Sequence, residues 1–355
     1  MVQLGARLEG GEVVVGAVDA LALDLRPLLE LLADPSRLKL LHAGRLDLQV
    51  LLQLHGALPG PVFDTQRAAA LVGFGGQIGY AALVEQVTGR RLEKSEQWSD
   101  WTRRPLREAQ LRYALDDVRH LPDAAATLRG LLRQAGRHGW AEEEMRELMD
   151  PATYADPVPG EEWRRVKAAR SLAPRAQAIL RELCAWREKA ARQRDLRPGF
   201  LVKDPILLDL ARHPARTPDD LRRAGVHPAE VKRSANELLA ALRRGADAEP
   251  PEQRRPKRRL DVGAAVDLLR AWLTRCASES SVAPEVMATT ADLEALAKAH
   301  ARGEPWPDLP VLSGWRRELV GADLLRLLEG KIALKLDGKA GLRAVTPPDA
   351  AENPE

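Results

Sequence analysis

Up to about residue 65 the chain alternates short β-type runs with helical ones, and beyond that point the strand signal ends. This change of period sets the fold class before any motif is read. Val2 to Leu8 and Glu12 to Val18 flank Gly10-Gly11, the pattern of a hairpin. Arg26 to Ala33 carries Leu28, Leu29, Leu31 and Leu32 in a helical run that Asp34-Pro35 closes. Leu38 to Ala43 and Pro61 to Thr65 read as strands, with a helix over Asp47 to Leu54 between them. A mixed-direction α/β sheet is therefore expected. Helical patterns follow over Gln66 to Val72, Tyr80 to Thr88 and Leu106 to Gln134, and after the proline-rich stretch Pro151 to Gly160 the chain reads as all-helical.

An internal repeat at an offset of 86 residues organises that helical part. Leu183, Ala185 and Trp186 return as Leu269, Ala271 and Trp272, Pro198 returns as Pro284, and Leu207 and Leu210 return as Leu293 and Leu296. The matches fall on apolar and helix-start positions, which points to two copies of one small helical fold. At 355 residues the chain exceeds a single core. The expected division is 1–150, a first helical domain at 160–245, a basic linker at 246–259, a second helical domain at 260–340 and a disordered tail at 341–355.

No run of 18 or more apolar residues exists and the first residues lack a signal-peptide pattern, so a cytoplasmic protein without a membrane span is expected. Cys184 and Cys276 are the only cysteines and read as small apolar core residues. Counting Lys and Arg against Asp and Glu, residues 1–150 carry net −3 and residues 151–355 net +6. An acidic head with a basic body suits metal chemistry coupled to binding of a polyanion.

Tyr113 and Asp117 stand four apart in a predicted helix and share one face. Asp47 opens another helix just after the strand ending in His42-Ala43-Gly44, a usual place for ligands in α/β folds. Two carboxylates and a phenol meeting at a sheet edge offer hard oxygen ligands for Mg²⁺ or Mn²⁺. His42 and Asp64 read better as structural hydrogen-bonding residues than as a base and a ligand. Lys94, Gln97, Trp98 and Trp101 offer indoles to stack on bases and a cation to pair with phosphate, with core packing of the two indoles as the competing reading. Arg254, Arg255, Lys257, Arg258 and Arg259 form a basic cluster suited to phosphate or to a solvated linker.

HAGRLD at His42 to Asp47, FDTQ at Phe63 to Gln66, LEKSEQWSDWTRRPL at Leu92 to Leu106 and YALDDV at Tyr113 to Val118 together resemble the ribonuclease D family of 3′–5′ exonucleases, which carry four acidic residues and a tyrosine. The resemblance implies a ribonuclease-H-like α/β exonuclease fold followed by two all-α HRDC (helicase-and-RNase-D C-terminal) bundles. It assigns metal binding to Asp47 and Asp117 and orientation of the attacking water to Tyr113, with Asp116 a solvent-facing neighbour. It further implies two divalent ions and, as partner, RNA with a free 3′ end, tRNA precursors above all.

The family's first motif, Asp-x-Glu, does not occur before Asp47, and by resemblance the chain begins at the family's second strand, as expected of an N-terminally truncated domain. Two dications about 4 Å apart repel by about 17 kcal/mol at an effective dielectric near 20, and two carboxylates offset only half the ions' charge. Impaired hydrolysis is expected, with a non-catalytic RNA-binding scaffold as the alternative reading.

Overall fold

The glycine pair reverses the chain as its pattern requires. β1 (Val2–Arg7) and β2 (Val13–Val18) pair antiparallel, Val2 opposite Val18 and Arg7 opposite Val13, with Gly11 at φ +85° in the turn. The structure is a computed structural model that describes residues 1–93, 96–155, 160–251, 260–338 and 341–347. It divides into two units, Met1–Tyr154 with Leu260–Glu355, and Ala155–Arg259.

In the first unit α1 spans Arg26–Ala33 as the leucine pattern predicts. β3 (Lys39–Leu41) is shorter than the predicted run because Ala43 enters the left-handed region at φ +54°. α2 (Arg45–His55) follows, then β4 (Val62–Asp64), α3 (Thr65–Ala70) and α4 (Tyr80–Thr88). The single helix expected over 106–134 is two, α5 (Glu108–Arg119) and α6 (Leu121–Gln134), parted at His120 just before Pro122, which has no N–H to extend the ladder. α7 spans His138–Leu148.

The expected continuous mixed sheet is not formed among the described residues. β3 and β4 pair in parallel, Leu40 opposite Phe63, but they and the hairpin remain separate two-stranded sheets. Helices bridge them instead. α5 lies across both hairpin strands, so close at Gly5 that a Cβ there would sit 3.1 Å from the Val118 carbonyl oxygen. α6 touches both β1 and β3. Three-residue strands offer few ladder bonds, and burial of Leu48, Phe63, Leu83, Ala124 and Leu128 in one core holds this region together.

The second unit contains α8 (Pro174–Gln193), α9 (Pro198–Leu201), α10 (Asp204–Arg212), α11 (Pro218–Arg223) and α12 (Pro228–Asp247). Each has a proline in its first turn, where a missing N–H costs nothing. Leu180, Leu183, Cys184, Leu207, Leu210, Leu221 and Leu238 fill the core. α8 and α12 cross at Gly245, where a Cβ would lie 2.5 Å from the Ile179 Cα, so only glycine permits the approach.

The chain then returns to the first unit through α13 (Gly263–Ser280), α14 (Pro284–Met287), α15 (Thr290–Arg302), α16 (Gly314–Arg316), a π-helical turn at Arg317–Gly321 and α17 (Ala322–Leu328). The repeat is reproduced in burial: Leu183 and Leu269, Trp186 and Trp272, Leu207 and Leu293, Leu210 and Leu296 are all core residues. Cys184 and Cys276 are both buried thiols, pushed up by burial to about 12 and about 11.

Two boundaries differ from expectation. The segment 260–340 does not close on itself, because its core is continuous with that of residues 1–150. The tail expected to be disordered from 341 forms β6 (Gly341–Val345), antiparallel to β5 (Ala333–Asp337), with Leu342 and Ala344 packed on the core. The join is specific. Trp315 stacks on Trp140 at 4.9 Å, and Arg316 donates to Glu144 (2.5 Å), Glu147 (2.9 Å) and the Val286 carbonyl (2.7 Å). Glu144 is buried, and burial raises its carboxyl above the usual range while Arg316 opposes the shift.

Removing one partner of such a pair leaves an uncompensated buried charge. Arg316→Ala is expected to destabilise the first unit by about 3–5 kcal/mol in chemical denaturation followed by tryptophan fluorescence. Adding Glu144→Leu is expected to restore part of that loss. A loss below about 1 kcal/mol, the range of an exposed pair, would show that the cluster does not hold the join.

Candidate active site

Asp47 reaches its place through a turn that the sequence alone does not explain. After β3, the N–H groups of Ala43 and Gly44 donate to the Asp64 carboxylate at 3.3 and 2.7 Å. The same carboxylate accepts the N–H groups of Gln66 (2.8 Å) and Arg67 (3.1 Å), capping α3. Asp64 is only 1% exposed, so four backbone donors replace its water. It thereby shapes the turn that starts α2 and sets Asp47 in the first turn of that helix, where the macrodipole favours negative charge.

His42 occupies the structural role expected of it. Its Nδ1 lies 3.0 Å from the Thr65 hydroxyl, which donates to the Leu41 carbonyl, and its Nε2 lies 3.1 Å from the Ile78 carbonyl oxygen. Burial pulls its pKa down. With both nitrogens engaged inside the fold, His42 is not offered to a substrate.

Tyr113 and Asp117 project one turn apart from α5. The Tyr113 ring lies 6.1 Å from that of Trp101, and its phenol is raised by burial and by the charge of Asp117. Asp117 is itself pushed up to about 6, by burial first and by Asp116 second. Asp116 is half-exposed and paired with Arg119 at 3.1 Å. The Asp47 carboxyl is also raised, by desolvation first and then by Asp64.

One residue that sequence reasoning missed ties these parts together. The Tyr80 hydroxyl donates to the Asp116 carbonyl and accepts from the His120 N–H, both at 3.3 Å, so α4 is tied to the end of α5. Its phenol is raised by burial, and Asp117 is among the charges that act on it. Its ring meets His42 edge-on at 5.6 Å. Ring contacts thus pair Trp101 with Tyr113 and Tyr80 with His42, and the charge of Asp117 acts on both phenols. No sequence pattern signals Tyr80, since its partners lie 36 and 40 residues away.

Residues 96–104 are pinned to the start of α5 and to the end of the hairpin. Buried Glu96 accepts from Arg107 (2.5 Å) and from Ser99, the Gln110 amide reaches the Asp100 carbonyl (3.3 Å), and Arg104 grips Asp19 on the β2 side at 2.5 and 2.6 Å. The indoles behave differently from each other. Trp98 is 93% exposed, which rules out core packing, whereas Trp101 is half-buried beside Tyr113. Gln97 is exposed. Lys94 and the cluster Arg254, Arg255, Lys257, Arg258 and Arg259 lie outside the described residues.

The donors are carboxylate oxygens, which suit a hard dication. Among the described residues, however, no three His, Cys, Asp or Glu side chains converge on one ion. Asp47 and Asp117 together balance the charge of one dication, and a second ion needs further oxygen donors.

Residues 1–132 match the family model of 3′–5′ exonucleases and residues 176–242 match that of the HRDC domain. The chain is 42% identical over 340 residues to ribonuclease D of Granulibacter bethesdensis, covering 93% of this chain and 84% of that one. It is 38% identical over 327 residues to ribonuclease D of Nitrobacter hamburgensis, covering 90% and 84%. Among solved structures it resembles Escherichia coli RNase D, an exoribonuclease involved in structured RNA processing, with TM-score 0.75, 32% identity and coverage of 91% and 87%.

Asp117 gives a pH test that needs no substrate. Its pKa is raised in the folded protein, so ionisation disfavours folding and the penalty appears as pH rises through about 6. Without metal, Asp117→Asn is expected to raise Tm at pH 8 and to leave it nearly unchanged at pH 4, where the carboxyl is protonated. An equal effect at both pH values would remove the raised pKa.

Proposed function

Because the chain belongs to the ribonuclease D family of 3′–5′ exoribonucleases acting in RNA processing, we propose that it matures the 3′ ends of structured RNAs, tRNA precursors among them, with divalent ions held in part by Asp47 and Asp117. The observation that carries this reading is Asp117, a desolvated carboxylate whose charge acts on the Tyr113 and Tyr80 phenols, with the Tyr113 ring beside that of Trp101. Mg²⁺ or Mn²⁺, when bound, lowers the pKa of a coordinated water and stabilises the departing 3′ oxygen.

The chain's own residues supply position and proton control. Burial first and a neighbouring carboxylate second raise both Asp47 and Asp117, so a cation at either supplies the stabilisation that water no longer gives. Tyr113 keeps its phenolic proton at neutral pH, because burial and Asp117 both oppose its loss, and so donates a hydrogen bond to the attacking water. Tyr80 holds α5 at the correct height. Trp98 offers an uncovered indole for a base near the 3′ end, and Trp101 backs Tyr113.

The test uses 5′-labelled RNA with a free 3′ end, with Mg²⁺ or Mn²⁺ and without either. Metal-dependent release of mononucleotides is expected. Tyr113→Phe is expected to lower kcat by about 10² with KM nearly unchanged. Trp98→Ala is expected to raise KM about tenfold with kcat preserved, the size of one lost base stack. RNA binding without mononucleotide release under any metal would replace this reading with a non-catalytic RNA-binding scaffold.

A further inference from the structure

The two copies of the repeat build the same short helix and use it differently. α9 in the first copy and α14 in the second each begin at the matching proline and bury the matching pairs Leu201 with Val202 and Met287 with Ala288. In the second copy the outer positions are consumed within the first unit. Ala283 is buried and its N–H donates to the Ala70 carbonyl at 3.0 Å, while the Val286 carbonyl accepts from Arg316. At the equivalent places the first copy has Arg197 and Phe200, followed by Lys203 where the second copy has Thr289.

Phe200 is 75% exposed, and Arg197 and Lys203 are exposed with no acidic partner among the described residues. Leu196 extends the apolar surface at 44% exposure. The platform is rigid from beneath: buried Arg187 donates to the Val202 carbonyl (2.9 Å) and to Asp204 (2.7 Å), which neutralises that carboxylate. An uncovered aromatic face between two unpaired cations costs solvation in the free protein and fits a ligand carrying both π-faces and phosphates.

We propose that α9 of the first copy is a docking surface for unpaired RNA, with a base stacked on Phe200 and flanking phosphates held by Arg197 and Lys203. The second copy lacks this surface because its equivalent helix serves as an internal joint. The assignment rests on the RNA-processing reading above and names a substrate-holding surface in the second unit.

The full-length protein is titrated with a labelled single-stranded 20-nucleotide RNA in EDTA, which separates binding from hydrolysis. Phe200→Ala is expected to weaken binding about tenfold. Arg197→Ala with Lys203→Ala is expected to reduce the salt dependence of log K by about 0.7 per lost phosphate contact. Circular dichroism should be unchanged, and ultraviolet cross-linking to 4-thiouridine RNA should mark the peptide containing Phe200. Mononucleotide release from a dinucleotide, too short to occupy two surfaces at once, should be unaffected. Wild-type RNA affinity and salt slope in both folded variants would overturn the proposal and leave a protein as the patch's partner. Absence of mononucleotide release by the wild type would overturn the hydrolytic reading alone, because the EDTA titration still reports binding.

Discussion

The Asp64 carboxylate is the point on which the candidate site depends. Four backbone N–H groups converge on it from two segments about 20 residues apart, the turn before α2 and the first turn of α3. A buried carboxylate is stable only when its lone pairs are filled, and here the same bonds fix the backbone that carries Asp47. The Asp64 N–H in turn lies 3.1 Å from Met145 sulfur on α7. The next residue along that helix, Glu144, anchors Arg67, Trp315 and Arg316. The candidate site and the returning helical segment are thus joined through neighbouring polar groups on α7.

This arrangement has an electrostatic consequence at the site. Burial raises the Asp47 carboxyl, and the neighbouring Asp64 carboxylate, its oxygens filled by four backbone donors, adds to that rise. Burial likewise raises Asp117, and Asp116, paired with Arg119 at the surface, adds to it. Asp47 and Asp117 therefore each sit beside a carboxylate that is satisfied elsewhere. Excess negative potential at Asp47 and Asp117 is what a hard dication would neutralise.

Much of the chemistry was legible because its signals are local. Tyr113 and Asp117 share a face through the fixed helical period, and Asp47 follows a strand end within a few residues. Asp64 was legible as structural, being an aspartate that opens a helix. Tyr80, Glu96 and the Arg104–Asp19 clamp were not, since their partners lie 11 to 85 residues away and no periodicity marks them. The two indoles show the same limit. Both stand in one motif, yet Trp98 is bare and Trp101 is half-covered, a difference set by how the segment folds back on α5.

From the sequence alone came the change of period near residue 65, the carboxylate and tyrosine motifs, the family they resemble and the 86-residue repeat, all carried by spacing along the chain. Only the tertiary structure decided that the strands form separate pairs bridged by helices, that the second helical copy shares a core with residues 1–150, and that residues 341–345 pair as a strand. The reason is that period specifies which face of an element is apolar but not which surface covers it. Leu207 and Leu293 are equivalent by spacing and equally buried, yet they lie in different cores.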